Sequence, residues 1–179
     1  MLHAGMKIKY TGNASHIEVL NFFGEPEKVE AEISKLHKNT AYGKREYNKK
    51  RHFVNKYSPL FSLFKYIDES LKTNPMFTIK GTMRAELCKD AVGYSLLPHI
   101  DIPEKFLTMQ IYLGNESSCT SFHFSDGIVT PKWKHNCGYL MYEQDKIVHS
   151  LAPLTSDRYS VIINYVDDSW EDTSQLLYG

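Results

Sequence analysis

Cysteine is scarce in this chain of 179 residues: Cys88, Cys119 and Cys137 are all it holds, odd in number and far apart. No Cys-x-x-Cys occurs, which argues against a zinc knuckle and against a disulfide framework. Reduced thiols and a cytoplasmic location are the expectation. Net charge is also missing, with 21 Lys+Arg against 21 Asp+Glu. No global field therefore draws the chain to nucleic acid or to an anionic membrane. No apolar run is long enough to span a bilayer, and residues 1–7 lack the apolar core of a signal peptide. Internal repeats and low-complexity tracts are absent.

What is present suits a single domain over residues 1–179. Residues 1–76 read as strand and helix support, 77–166 as a strand-rich core, and 167–179 as an acidic, peripheral tail. One or two strands are expected between Lys7 and Phe23, around a Thr11-Gly12-Asn13 turn. Glu25-Pro26 opens a helix to about Lys38, with Val29, Ile33 and Leu36 at helical spacing. A second helix runs from Ser58, a candidate cap, to about Lys72, and Asn74-Pro75 ends it. Both belong on the outside of a sheet. From Phe77 onward short apolar runs alternate with turn residues. Strands are expected at residues 77–79, 85–87, 94–97, 106–113, 120–124, 139–142, 147–149 and 159–166, with turns at Asn115, Asp126-Gly127 and Asn136-Cys-Gly138. Helices first and many short strands after predict an α+β, mainly β fold: a double-stranded β-helix, or jelly roll of the cupin kind, with N-terminal helices on one sheet.

The chemistry gathers around His99-Ile100-Asp101. Residues two apart on a strand share a face, so His99 and Asp101 can take adjacent positions on one metal ion. A distant His completes a facial triad of two His and one carboxylate, a set that suits Fe(II) and leaves positions open for other ligands. His149, in Val148-His149-Ser-Leu-Ala-Pro153, is the candidate. Nine positions further on stands Arg158, at the head of an apolar strand. A buried guanidinium needs an anion; a bound carboxylate fits its fork, and an ion pair with Asp157 is the bland alternative.

His-x-Asp, a distant His and the following Arg resemble the Fe(II)- and 2-oxoglutarate-dependent dioxygenases, in particular the prolyl-hydroxylase-like branch. Gly93 stands six before His99, Ile111-Tyr112-Leu113 matches a strand ending Tyr-Leu, and Gly138-Tyr-Leu-Met-Tyr142 matches a Gly-plus-apolar strand. The resemblance covers residues 84–166. It departs from the family pattern at Ser117 and Ser118, which replace a Gly-Gly pair, and at Lys89 or Asp90, where a Tyr often stands. It implies iron on His99, Asp101 and His149, and the distal carboxylate of 2-oxoglutarate on Arg158, helped by Ser160 and by the phenol of Tyr112, with Thr108 lining the pocket. O2 is the second cosubstrate. Because Asp101 is present, hydroxylation is implied rather than halogenation. The implied activity is hydroxylation of a peptidyl or free amino-acid substrate, coupled to decarboxylation of 2-oxoglutarate to succinate and CO2.

Lys44, Arg45, Lys49, Lys50 and Arg51, beside Tyr42 and Tyr47, form a basic stretch. It reads as a solvated loop, so nucleic acid is not the expected partner. A nucleic-acid oxidative demethylase using this stretch is the alternative enzyme, and a non-catalytic jelly-roll binding protein the alternative outside enzymology. A lone strand His such as His123, and His135, read as structural or solvent-facing. Cys119 and Cys137 read as small core or turn residues.

Overall fold

A computed structural model describes residues 7–10, 16–38 and 49–179. The expected turn at Thr11–Asn13, and Tyr42, Lys44, Arg45 and Tyr47 of the basic stretch, lie outside the described residues.

Two antiparallel sheets face each other. The larger has seven strands, ordered β1 (Lys7–Tyr10), β2 (His16–Leu20), β9 (Cys137–Tyr142), β6 (Lys105–Leu113), β11 (Arg158–Val166), β4 (Thr82–Asp90) and β3 (Lys49–Val54). The smaller runs β5 (Leu96–His99), β10 (Val148–Leu151), β7 (Ser121–Phe124) and β8 (Gly127–Val129). Helices α1 (Pro26–His37) and α2 (Phe61–Thr73) cover the outer face of the large sheet.

Strand alternation explains which face the helices cover. One face of β4, β6 and β11 carries Met83, Ala85, Leu87, Leu107, Met109, Ile111, Leu113, Val161, Ile163 and Tyr165, all buried. Against it pack Val29 and Ile33 of α1 and Phe64, Ile67 and Leu71 of α2 in one apolar cluster. The other face of the same strands carries Arg84, Glu86, Asp90, Thr108, Gln110, Arg158, Ser160 and Asn164. That polar stripe looks toward the small sheet and forms the site. Gly138 lets β9 and β6 close up: a Cβ there would lie 1.7 Å from the Gln110 carbonyl oxygen.

Helix α1 matches its expected bounds because Pro26 is pre-set for a first turn and lacks the N–H that would go unpaired there. Helix α2 begins three residues later than expected. Ser58 does not cap it; it shapes the preceding turn, its carbonyl accepting from Phe61 N at 3.0 Å and its hydroxyl facing Leu60 N at 3.4 Å. Asn74, held extended before Pro75, ends the helix.

Four expectations are corrected. Lys49, Lys50 and Arg51 are not loop: they open β3, which pairs with β4 along the sheet edge. Residues 77–79 form no strand, and β4 instead runs nine residues. β8 follows the turn at Ser125–Asp126 as a short exposed strand. The tail is not peripheral. Leu177 is fully buried and its N–H bonds the Met83 carbonyl at 2.9 Å, while the Tyr178 hydroxyl donates to Asp68 at 2.8 Å.

Candidate metal centre and its pocket

The small sheet supplies the triad. His149 on β10 stands directly opposite His99 on β5 in the antiparallel ladder, and their ring centroids lie 4.3 Å apart. Asp101 follows just past the end of β5. One potential ligand atom from each of His99, Asp101 and His149 lies within 4.8 Å of the others, and this is the one such group among the described residues. His149 Nε2 is 4.0 Å from Asp101 Oδ1.

Neighbouring bonds settle which atoms face inward. His99 Nδ1 donates to the Leu97 carbonyl at 2.8 Å, and His149 Nδ1 to the Ile147 carbonyl at 3.1 Å. A carbonyl only accepts, so each Nδ1 carries a proton, and in the neutral ring Nε2 is the nitrogen with the lone pair. Asp101 is held from the large sheet: Thr108 Oγ1 donates to Oδ2 at 2.7 Å, and Lys105 Nζ to Oδ1 at 3.1 Å.

Charge states suit metal binding. Burial lowers the His149 pKa below its ordinary value, so the ring is neutral at pH 7. Burial alone would raise the Asp101 pKa, but Lys105 and the Thr108 hydrogen bond outweigh it, and the carboxyl stays ionised well into acid. Neutral imidazoles with an ionised carboxylate are the protonation states a divalent cation needs.

Beside the triad lies a cavity of about 250 Å³, lined by His99, Asp101, His149, Thr108, Gln110 and Arg158 and closed on the β3–β4 side by Arg51, Arg84 and Glu86. Arg158 is buried, as expected, and shares the cavity with the triad. Its charge, however, is already answered. Nη2 donates to Asp90 Oδ2 at 2.8 Å and Nε to the same oxygen at 3.3 Å, while Nη1 donates to the Ser118 carbonyl at 3.2 Å. The carboxylate that answers Arg158 is therefore Asp90, not a bound ligand alone as expected. The alternative partner fails too, since Asp157 pairs with Lys89 at 3.3 Å.

Two supporting residues, Tyr112 and Ser160, sit differently from expectation, and Thr108 sits as expected. The Tyr112 phenol donates to Thr120 Oγ1 and accepts from Thr120 N, at 3.1 and 3.0 Å, and does not line the cavity. Its ring lies 5.6 Å under the Arg158 guanidinium, a cation–π contact. Burial pushes the phenol up to about 12, so it stays protonated. Ser160, fully buried, accepts from Gln110 Nε2 at 3.0 Å and lies behind the lining. Thr108 does line the cavity, but its one hydroxyl proton goes to Asp101 Oδ2 at 2.7 Å, with Asn164 Oδ1 also 2.9 Å away. His123 bonds Ser150 and His135 bonds Glu30, both apart from the triad.

Arg51, Asp90, Glu86 and Lys105 were missed in the sequence. The available signal was β4 itself, where Arg84, Glu86 and Asp90 put charge on one face of the strand while Met83, Ala85 and Leu87 line the other.

No family model and no curated protein matches this sequence. Solved structures do match. A Pseudomonas putida prolyl-4-hydroxylase superposes with a TM-score of 0.67 at 9% identity, covering 87% of this chain and 94% of the other. A Trichoplax adhaerens prolyl hydroxylase, solved with a peptide fragment of the hypoxia inducible factor oxygen degradation domain, gives 0.69 at 15%, covering 86% and 84%. The viral collagen prolyl hydroxylase of Paramecium Bursaria Chlorella virus-1, in its 2OG complex, gives 0.62 at 13%, covering 87% and 96%. The fold is thus that of the prolyl hydroxylases, a double-stranded β-helix with helices on one sheet. The resemblance read from His-x-Asp, the distant His and the Arg is borne out at the level of the fold.

Proposed function

We propose that the protein is an Fe(II)- and 2-oxoglutarate-dependent dioxygenase that hydroxylates a peptidyl or free amino-acid substrate. The observation that carries this is the convergence of His99 Nε2, His149 Nε2 and an Asp101 oxygen beside a cavity that also holds Arg158.

The donor set fits the metal. Two imidazole nitrogens with fixed lone pairs and one carboxylate make the facial triad that serves non-haem Fe(II). His99, Asp101 and His149 would hold the iron, and Arg158 the distal carboxylate of 2-oxoglutarate. The chemistry these groups supply when bound is decarboxylation of 2-oxoglutarate to succinate and CO2, coupled to insertion of one oxygen atom from O2 into a substrate C–H bond. The chain contributes position and environment. Leu97 and Ile147 carbonyls set the two rings, and Thr108 and Lys105 set Asp101. Arg158 retains one uncommitted N–H on each terminal nitrogen after its bonds to Asp90 and Ser118, enough to grip a carboxylate.

The peptide bound to the Trichoplax prolyl hydroxylase supports an amino-acid or peptidyl substrate here, as does the placement of Lys50 and Arg51. Lys50 Nζ donates to the His37 carbonyl, and Arg51 is largely buried at the cavity wall beside Asp90 and Glu86, so the two form no exposed basic patch for a nucleic-acid backbone. Cys88, Cys119 and Cys137 are all free and buried, in keeping with the cytoplasmic location we propose. The test is succinate formation by the Fe(II)-loaded protein with pools of peptides, amino acids and nucleic acids. Succinate rising with peptide or amino acid, and absent in His99→Ala, is expected; a response to nucleic acid alone would favour a demethylase.

A further inference from the structure

Asp90 is fully buried and its two oxygens face two different arginines. Oδ2 accepts from Arg158 on β11, and Oδ1 accepts from Arg51 Nη1 on β3 at 2.6 Å. The network continues along the stripe: Arg51 Nε lies 3.5 Å from Glu86 Oε2, and Arg84 Nη1 lies 2.7 Å from Glu86 Oε1. Arg158, Arg51 and Arg84 set against Asp90 and Glu86 leave one positive charge in excess, 3 − 2 = +1. All five side chains are at most 16% exposed. Burying an unanswered charge is costly unless an anion meets it.

Asp90 is shared between Arg158 and Arg51, and Glu86 between Arg51 and Arg84, so two carboxylates are spread over three guanidiniums and Arg51 links the two halves of the network. That residue bonds the Lys50 carbonyl and Asp90 through Nη1, and its Nη2 has no bonded partner among the described residues. Arg51 and Arg158 both line the cavity that the triad borders, whereas Asp90 stands behind them.

Resting on the function proposed above, we infer that Arg51 is a second cosubstrate-positioning residue and that Asp90 is a built-in rival for the same guanidiniums. The distal carboxylate of 2-oxoglutarate competes with Asp90 for Arg158. Arg51 supplies the charge that keeps the slot attractive to an anion with Asp90 in place. The cost is affinity: a carboxylate entering beside a resident carboxylate binds less tightly than one entering beside two unshared arginines.

The test is the 2-oxoglutarate affinity of the Fe(II)-loaded protein, measured anaerobically by calorimetry, with iron stoichiometry and thermal midpoint recorded for each variant. Arg51→Gln is expected to weaken binding by about tenfold or more, the scale of one charged hydrogen bond. Arg51→Lys, which keeps the charge and loses the fork, falls in between. Asp90→Asn is expected to tighten binding. The double variant Arg51→Gln/Asp90→Asn returns toward wild type in affinity; affinities that follow the charge count, while the thermal midpoints do not, separate this role from a purely structural ion pair. Should Arg51→Gln fail to fold, Asp90→Asn decides alone, because unchanged or weaker binding there overturns the inference. Wild-type binding that Arg51→Gln leaves unchanged also overturns it while leaving the proposed function intact. No 2-oxoglutarate binding by the iron-loaded wild type contradicts both.

Discussion

His99 and His149 form a cross-strand pair, and each turns Nδ1 to the carbonyl two residues before it. The ladder thus presents two Nε2 lone pairs to one point, with Asp101 beside them. Either His149→Ala or His99→Ala removes a ligand outright. Each is expected to cost more than the tenfold to hundredfold typical of losing a supporting hydrogen bond. Iron content after equilibrium dialysis reads this, and unchanged iron in both variants would dissolve the triad.

Thr108 tests the support behind the ligands. Thr108→Val keeps the shape and removes the hydroxyl that bonds Asp101 Oδ2 at 2.7 Å. Metal affinity is expected to fall about tenfold to hundredfold, with Thr108→Ser retaining most of it. Competition against a metal-sensitive dye measures both. Full affinity in Thr108→Val would mean that Lys105 alone holds Asp101.

The tail has a packing role that its acidity concealed. Leu177 belongs to the apolar cluster under the large sheet. Leu177→Ala should therefore cost about 2–5 kcal/mol, as for other large-to-small core changes. Urea unfolding measures it; a loss under about 1 kcal/mol would place the tail outside the cooperative fold.

His37 makes stability depend on pH. It is buried on α1, and its Nε2 donates to the Leu87 carbonyl at 3.0 Å. Burial lowers its pKa below the ordinary 6.5. The unfolded chain then takes the proton more readily than the folded one. The stabilising difference is fully present above about pH 6.5 and is lost as pH falls from there through the lower folded value. In metal-free protein the urea midpoint should drop from about pH 7 to about pH 5. His149 has the same sign of shift, so His37→Gln should flatten the slope without abolishing it. An identical slope in His37→Gln would exonerate this residue.

The parts of the fold legible in the sequence were those with local period. The apolar face of α1 and the alternating strands of the second half carry their own signal. So does the triad, because His99 and Asp101 are only two residues apart, although the strand expected to carry both ends at His99 and Asp101 is aimed by Thr108 and Lys105 instead. What escaped was cross-strand. Arg158 was conspicuous, but its partner Asp90 lies 68 residues away in sequence and meets it only through the β11–β4 register. β3 escaped for the same reason. Its charges look solvated in sequence, yet Arg51 meets Glu86 and Asp90 on the neighbouring strand. β8 is three exposed residues with no alternation to read.

In the function proposed, one cavity holds a metal at His99, Asp101 and His149 and a dicarboxylate at Arg158. Anaerobic absorption spectroscopy of the Fe(II)-loaded protein during titration with 2-oxoglutarate tests it most directly. A saturable metal-to-cosubstrate charge-transfer band at one equivalent, lost in His149→Ala and shifted to higher concentration in Arg158→Gln, is the result the account predicts. Iron bound at the triad with no such band at any 2-oxoglutarate concentration would contradict it.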